Sequence, residues 1–244
     1  MGTSIQPIYL QHPVALATTA SYLHEIAQGR FRLGVGVTHG PILQRLGVQT
    51  GRPLSDMRSY VGQVRATAAS MGGCPPIVLA ALRDRMVALA ADVGDGAVWA
   101  NASRSHMAHS LSLIPRDVTT AGFWIGNMIP TVIDDDVAAA RAKHRATLRS
   151  YVARPNYRNY WIAAGYEEEM NAITDAMEAG DDERVAAAMS DRWVDDCTLS
   201  GSASRVREGI EAWFDAGVTT PIVVPSSTSG GQFKALTELF DLYA

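Results

Sequence analysis

The fold of this chain is decided by residues 31–37, which are Phe31-Arg32-Leu33-Gly34-Val35-Gly36-Val37. Apolar side chains occupy every second position of this stretch, and a period of two predicts a β-strand. One face of the strand would pack against helices, whereas the other face has only two glycines at its centre. Glycines at such positions let a planar ligand or another stretch of backbone approach closely. The sequence therefore predicts a strand with an open face at Gly34 and Gly36.

Helical and strand-like segments alternate on both sides of this strand. Pro13 begins a predicted helix that Gly29 ends, and short apolar runs such as residues 77–80 are typical of buried parallel strands. Six strands are predicted, at residues 3–9, 31–37, 76–81, 97–100, 123–133 and 220–225. Strands that alternate with helices predict an α/β protein with a parallel sheet, either a doubly wound sheet or a (β/α) barrel.

Composition and charge exclude several classes of function. The chain has 244 residues, with 21 Lys plus Arg against 25 Asp plus Glu, and its formal net charge is −4. No basic run predicts binding to nucleic acid or to a membrane surface. No apolar stretch approaches the roughly 18–20 residues that span a bilayer, and the first residues lack the features of a secretory signal. The distant cysteines Cys74 and Cys197 form no disulfide framework, so we expect a cytoplasmic protein.

Residues 151–200 differ from the rest of the chain because they carry helical patterns without a strand signal. We expect them to form a helical insertion within a single domain that covers residues 1–244. A group of five aromatic residues lies in the first part of the insertion, at Tyr151, Tyr157, Tyr160, Trp161 and Tyr166. Their near-helical spacing favours packing over a role as a substrate wall. Aromatic side chains exposed in this insertion would suit the contact of a homodimer.

The glycines of the central strand do not form a dinucleotide-binding fingerprint. That fingerprint needs a third glycine in the turn after a strand and an acidic residue about 20 positions further on. Here the third position is His39, the glycines lie inside the strand, and Asp56 stands at a helix start. His39 is either a loop histidine with one backbone hydrogen bond or a polar group at the carboxyl end of the strand, where barrels place their sites.

A candidate anion site follows the next strand, at Ala80-Ala81-Leu82-Arg83. A strand that runs straight into a helix leaves amides without intrahelical partners at the positive end of the helix dipole. Arg83 and Arg85 add positive charge there. The alternative is that both arginines are solvated residues of the first helical turn.

Metal and nucleophile chemistry have little support in the sequence. His106 and His109 are three residues apart and could share a helix face, but two histidines without a third ligand are poor grounds for a metal site. We therefore expect no metal site. The alternative of a metal-dependent barrel hydrolase would require that the protein contain bound zinc. The sequence also has no Gly-x-Ser-x-Gly nucleophile elbow.

Several segments, taken in order, resemble the luciferase-like monooxygenases. The central one is Gln28-Gly29-Arg30-Phe31-Arg32-Leu33-Gly34-Val35-Gly36, which is similar to a signature of that family. Further similar segments are Gly2-Thr3-Ser4-Ile5, His12-Pro13, Val37-Thr38-His39, Arg52-Pro53, residues 75–82, Asp95-Gly96 and Ala216-Gly217-Val218-Thr219. The set covers nearly the whole chain, and it is most similar to the actinobacterial branch that uses the deazaflavin coenzyme F-420.

The resemblance implies a fold and a chemistry. The fold would be a (β/α)8 barrel of the TIM type with a helical insertion before its last strand. The chemistry would be hydride transfer, for which the protein supplies binding, orientation and exclusion of water. In such proteins the segment that matches Thr3, Ser4 and Ile5 contains a non-prolyl cis peptide bond and supports the middle of the cofactor ring.

The resemblance also implies which residues contact the cofactor. The position that matches His39 lies beside the cofactor. Gly36, on the open face of the strand, is a further predicted cofactor contact. The backbone amides at the junction that matches Ala80, Ala81, Leu82 and Arg83 hold the cofactor phosphate. The chain departs from the family at this junction, since close relatives have Gly-Pro where this chain has Arg83 and Asp84. The charge of Arg83 would compensate for the altered approach to the phosphate.

We therefore predict an oxidoreductase that uses coenzyme F-420 to act on a small organic substrate, with FMN as the alternative cofactor. The predicted catalytic residue is His39. The predicted substrate walls, at or near strand ends, are Trp99, Asn101, Trp124 and Asn127. The competing hypothesis is a catalytically inactive or truncated relative that acts only as a binding or structural protein.

The predicted strands are fewer than the eight of a closed barrel. The family signatures in this chain belong to the family's third strand onward, so the first two βα units have no counterpart. We therefore expect an N-terminally shortened chain, through a misplaced start or a real deletion. Its fold would be an incomplete barrel of about six parallel strands.

Overall fold

The computed structural model describes residues 1–38 and 40–243. These residues form two compact units. Unit 1 comprises Met1–Trp99 and Ser112–Gly126, and unit 2 comprises Ala100–Leu111 and Asn127–Ala244.

The helices and strands alternate along the first half of the chain, and helices dominate the second half. In chain order they are β1 (Gln6–Pro7), α1 (Pro13–Ile26), β2 (Leu33–Gly36), α2 (Gly40–Arg45), α3 (Pro53–Ala69), β3 (Ile77–Ala80), α4 (Asp84–Val93), β4 (Gly96–Ala100), a short 3-10 helix (Arg104–His106), α5 (Met107–Ser112), α6 (Arg116–Thr120), β5 (Trp124–Ile133), α7 (Val137–Val152), α8 (Pro155–Ala163), α9 (Glu167–Glu178), α10 (Asp182–Ala188), α11 (Asp191–Cys197), β6 (Leu199–Gly201), α12 (Ala203–Asp215), β7 (Thr220–Ser226) and α13 (Gln232–Asp241).

Unit 1 is built on parallel strands in the order β1-β2-β3-β4. Val35 pairs with Leu79, and Leu79 pairs with Ala97, so these three side chains share one face of the sheet. Helices α1 and α3 flank the strands along the chain, and each begins with a proline in its first turn, where the missing N–H costs nothing. Strand β5 begins in this unit, because Trp124 N donates to Asp95 O at 3.0 Å.

Unit 2 contains most of β5 together with β6 and β7. Thr131 of β5 pairs in parallel with Leu199 of β6, and β7 also pairs with β5. Helix α7 follows β5 and is capped by Asp136, whose Oδ1 accepts from Ala138 N at 2.9 Å and from Ala139 N at 3.1 Å. Helices α8 to α11 then lead to β6.

The predicted parallel α/β architecture is confirmed, and each of the six predicted strands is present. The described residues contain a seventh strand, β6, inside and just beyond the predicted insertion. Three residues are too few to show a period of two, so β6 has no signal in the sequence. The insertion as a unit within a single domain stays a prediction.

The aromatic residues of the insertion pack inside unit 2. Tyr157, Tyr160, Trp161 and Tyr166 are buried, which confirms the packing interpretation. The assumption that these rings are exposed for a dimer contact is wrong, because Trp161 packs edge-to-face against Trp193 with ring centroids 4.8 Å apart. Exposed rings of this unit lie instead on α12, at Phe214, and on and next to α13, at Phe233, Phe240 and Tyr243. The homodimer itself stays a prediction.

None of the helices in the described residues combines the length and the apolar character that crossing a membrane requires.

Candidate functional site

The segment Thr3–Ile5 is tied to the middle of β2 in unit 1. The Thr3 hydroxyl donates to Gly34 O at 2.8 Å and accepts from Gly34 N at 3.0 Å. The peptide bond between Ser4 and Ile5 is cis, as the resemblance implies. A Cβ at Gly34 would overlap the carbonyl oxygen of Thr3, so a residue without a side chain is required there. Thr3 therefore anchors the segment, and its hydroxyl is already engaged by the backbone of Gly34.

Ile5 occupies the space that Gly36 leaves open. A Cβ at Gly36 would lie 2.6 Å from Ile5 Cδ1 and 3.0 Å from the Cβ of Ala80. The chain itself thus fills the glycine face that the sequence left open to either a ligand or a stretch of backbone. Ile5 is half-buried, and Gly36 and Ala80 are the last residues of β2 and β3, so the three residues meet at the carboxyl ends of these strands. We call the group of Ile5, Gly36 and Ala80 the Ile5 platform.

The junction between β3 and α4 supplies fewer amides than the sequence predicts. Ala81 is 3 % exposed, and its N–H donates to Val98 O at 2.9 Å, so this amide is already used by the sheet. Leu82 is half-buried and Arg83 is exposed. Arg83 is the N-cap of α4, and its own side chain makes no capping hydrogen bond within the part of the chain that the structure describes. We call Leu82, Arg83 and the first turn of α4 the α4 junction, and it keeps the amides and the charge that suit an anion.

The structure does not bring the two predicted tryptophan walls to the Ile5 platform. Trp99 is two residues after Ala97 in β4, so it shares the Leu79 face of the sheet and points away from the face of Gly36 and Ala80. Trp124 is the first residue of β5 and lies at the amino ends of the strands, where the Arg32 guanidinium is 5.8 Å from its ring centroid. A position near a strand end in the sequence does not show whether the residue lies at the amino end or at the carboxyl end of the parallel strands.

The two predicted asparagine walls lie together in unit 2. Asn101 directly follows β4, and its N–H donates to Met128 O at 3.0 Å. The next amide, Ala102 N, donates to Asn127 Oδ1 at 3.4 Å. Asn101 is 3 % exposed and Asn127 is fully buried. Both Nδ2 atoms lack a hydrogen-bond partner among the residues that the structure describes.

The segment after Asn101 is held by hydrogen bonds that the sequence does not indicate. Tyr160 accepts a hydrogen bond from Ser103 N at 3.1 Å through its hydroxyl oxygen. Asp196 accepts from Ser105 N at 3.0 Å, from Ser105 Oγ at 2.7 Å and from the Tyr166 hydroxyl at 2.9 Å. Ser105 and Asp196 are 91 residues apart in the chain. Only the tertiary structure shows that Asp196 positions this loop.

Two further titratable residues, His144 and Cys197, are buried. His144 donates its Nε2–H to Leu199 O at 3.0 Å, and burial lowers its pKa to about 4, so the ring is neutral at neutral pH. Burial also raises the pKa of the Cys197 thiol, which makes it a poor nucleophile.

The rings of His106 and His109 lie 4.7 Å apart. The absence of a metal stays a prediction, and His39 lies outside the described residues.

The comparisons with known proteins agree on one family. A family model described as luciferase-like monooxygenase matches residues 1–220. The chain is 24 % identical over 276 residues to a Mycobacterium tuberculosis protein that is named as a coenzyme F-420-dependent oxidoreductase, covering 93 % of this chain and 79 % of that protein. It is 27 % identical over 268 residues to the 5,10-methylenetetrahydromethanopterin reductase of Archaeoglobus fulgidus, covering 98 % and 80 %.

A solved structure shows the same fold at low sequence identity. The coenzyme F-420-dependent tetrahydromethanopterin reductase of Methanopyrus kandleri superimposes with a TM-score of 0.73 at 16 % identity, covering 99 % of this chain and 81 % of that one.

Proposed function

The chain belongs to the luciferase-like monooxygenase family, and from this premise we propose that it is an oxidoreductase that binds the deazaflavin coenzyme F-420 and transfers a hydride between this cofactor and a small organic substrate. The Ile5 platform is the single observation that carries the proposal. It places a half-buried apolar side chain, backed by Gly36 and Ala80, at the carboxyl ends of two neighbouring parallel strands.

The chemistry of the platform and of the α4 junction fits a cofactor with a flat ring and an anionic tail. A branched aliphatic side chain supports a ring face by apolar contact. The junction offers backbone amides, the positive end of the α4 dipole and the exposed guanidinium of Arg83. Both groups lie on the carboxyl side of β3, because Ala80 ends this strand and Arg83 follows three residues later.

The residues of the chain would bind and orient the cofactor. Ile5 would hold the ring at a fixed height above β2, and Arg83 with the amides of Leu82 and α4 would hold the phosphate. When bound and reduced, coenzyme F-420 supplies a hydride from its central ring carbon. The substrate then needs a proton at the atom next to the one that is reduced. His39, which follows β2 in the sequence, is the proposed donor of that proton.

Parallel equilibrium titrations with coenzyme F-420 and with FMN test this proposal. We expect saturable quenching of deazaflavin fluorescence, with a lower dissociation constant for coenzyme F-420 than for FMN. Tighter binding of FMN would instead support the flavin alternative. Absence of binding by both cofactors would contradict the proposal and support the inactive relative.

A further inference from the structure

We propose that a cavity in unit 1 binds a small organic cation with an ammonium group, held by the carboxylate of Asp56 and by the tyrosines beside it. The cavity, which we call the α3 cavity, lies where the segment between β1 and α1 meets the beginning of α3. Within the described residues, neither the Ile5 platform nor the α4 junction lines it. The site is therefore separate from the proposed cofactor site, and its ligand does not depend on the proposed function.

The α3 cavity has the size of a small-molecule site. Its volume is about 610 Å³, and pockets of roughly 300–1,000 Å³ are typical of such sites. One wall is formed by residues 8–13, which lead from β1 into α1, and the other by Asp56, Ser59, Tyr60 and Gln63 on the first three turns of α3. Both walls belong to unit 1, where α1 packs against α3.

The carboxylate of Asp56 is held in place without a cationic partner. The Tyr9 hydroxyl donates to Asp56 Oδ2 at 2.8 Å. Burial together with this hydrogen bond raises the pKa of Tyr9 to about 12, so the phenol stays neutral at neutral pH. Arg58, two residues further along α3, pairs instead with Asp92 at 2.5 Å. Asp56 makes no ion pair with any residue that the structure describes, so no cation of this part of the chain balances its charge.

Several donors of the cavity wall are used by acceptors of the wall itself. The Tyr60 hydroxyl donates to Gln11 O at 2.9 Å, and Gln63 Nε2 donates to Ser59 Oγ at 3.1 Å. Among the described residues that line the cavity there is no lysine or arginine, and Asp56 is the one acidic residue. A ligand with a positive charge and hydrogen-bond donors complements such a wall, whereas an anion would be repelled.

Aromatic and aliphatic side chains favour an organic cation over a metal ion. Tyr9 and Tyr60 line the cavity, and tyrosine rings attract ammonium groups. Leu10 lines it as well and is 43 % exposed, so its side chain is open to contact with alkyl groups. A single carboxylate gives a divalent cation few of the oxygen ligands that it requires. The expected ligand is thus an alkylammonium ion whose nitrogen lies near Asp56.

NMR of the tyrosine ring signals in the full chain tests this site without cofactor or turnover. The probe is n-butylammonium chloride, and sodium butyrate is the size-matched anion, both at constant ionic strength. We expect saturable shifts of the Tyr9 and Tyr60 signals with n-butylammonium and none with butyrate. The signal of Tyr243, which is exposed in unit 2, should not shift with either probe.

Two substitutions assign the binding to Asp56. Asp56→Asn keeps an acceptor for the Tyr9 hydroxyl but removes the charge, so we expect the dissociation constant of n-butylammonium to rise at least about tenfold. Ser59→Lys changes an exposed residue one turn further along α3. The introduced ammonium group should compete with the ligand for Asp56 and weaken binding by a similar factor. Asp117→Asn, at an exposed carboxylate in the first turn of α6, is the matched control and should bind as the parent does.

Three results would overturn the proposal. One is the absence of saturable shifts with n-butylammonium, and another is a response to butyrate as strong as the response to n-butylammonium. The third is binding of n-butylammonium to the Asp56→Asn and Ser59→Lys variants with the dissociation constant of the parent. These titrations contain neither coenzyme F-420 nor FMN, so a failure of this site and a failure of the proposed function are distinguished.

Discussion

Replacement of Arg83 by alanine is expected to weaken the binding of coenzyme F-420 by roughly 10- to 150-fold, which corresponds to about 1.5–3 kcal/mol for one charge-assisted contact with a phosphate. The reason is the place of Arg83 as the N-cap of α4, where its guanidinium adds to the helix dipole and to the amides of the first turn. The measurement is a fluorescence titration of the variant and the parent chain at the same ionic strength, since salt screens such contacts.

Arg32→Ala is the matched control for this change. Arg32 is an exposed arginine at the amino end of β2, where it contacts the ring of Trp124. Removal of this guanidinium should leave the dissociation constant of coenzyme F-420 unchanged. If Arg83→Ala, Arg32→Ala and the parent have equal dissociation constants, the cofactor phosphate does not bind at the α4 junction.

Gly34→Ala is expected to lower the free energy of unfolding by about 1–3 kcal/mol or more, because added atoms in a closely packed site force the surrounding structure to shift. The added Cβ would overlap the carbonyl oxygen of Thr3, which belongs to the backbone and cannot turn aside. The same displacement would disturb the two hydrogen bonds between the Thr3 hydroxyl and Gly34. Chemical denaturation followed by circular dichroism measures the loss.

The control for this change is Gly62→Ala, in the middle of α3. A Cβ at Gly62 meets no atom within 4 Å, and alanine favours a helix over glycine. This variant should be more stable than the parent by about 0.5–1 kcal/mol. A Gly34→Ala protein as stable as the parent would show that Thr3 does not pack against β2 as described.

The strands of this protein were predictable because their side chains repeat locally. The alternation in residues 31–37 and the apolar run at residues 77–80 each reflect burial on the faces of a sheet, and such patterns survive in the sequence alone. The short strand β6 was not predictable, because three residues contain too little of a period to detect.

The candidate site could be predicted from the sequence only where neighbours in sequence are also neighbours in space. The segment Thr3–Ile5 and the α4 junction are local features, and the family resemblance indicates both as cofactor contacts, which stay predictions. The position of Trp99 and Trp124 away from the Ile5 platform has a different cause. The side of a sheet and the end of a strand depend on register, which is fixed by pairing between distant segments. The same holds for Asp196, whose partner Ser105 is far away in the chain.

The NMR signal of the Ile5 Cδ1 methyl group during titration with coenzyme F-420 shows directly whether the cofactor ring binds at the Ile5 platform. We expect this signal to shift in a saturable way as the ring binds there. The amides of Leu82 and Arg83 should shift with the same dissociation constant. The methyl signals of Ile173, which is buried in α9 of unit 2, should not shift. Binding of coenzyme F-420 that leaves the signals of Ile5 and Arg83 unchanged would show that neither the Ile5 platform nor the α4 junction contacts the cofactor.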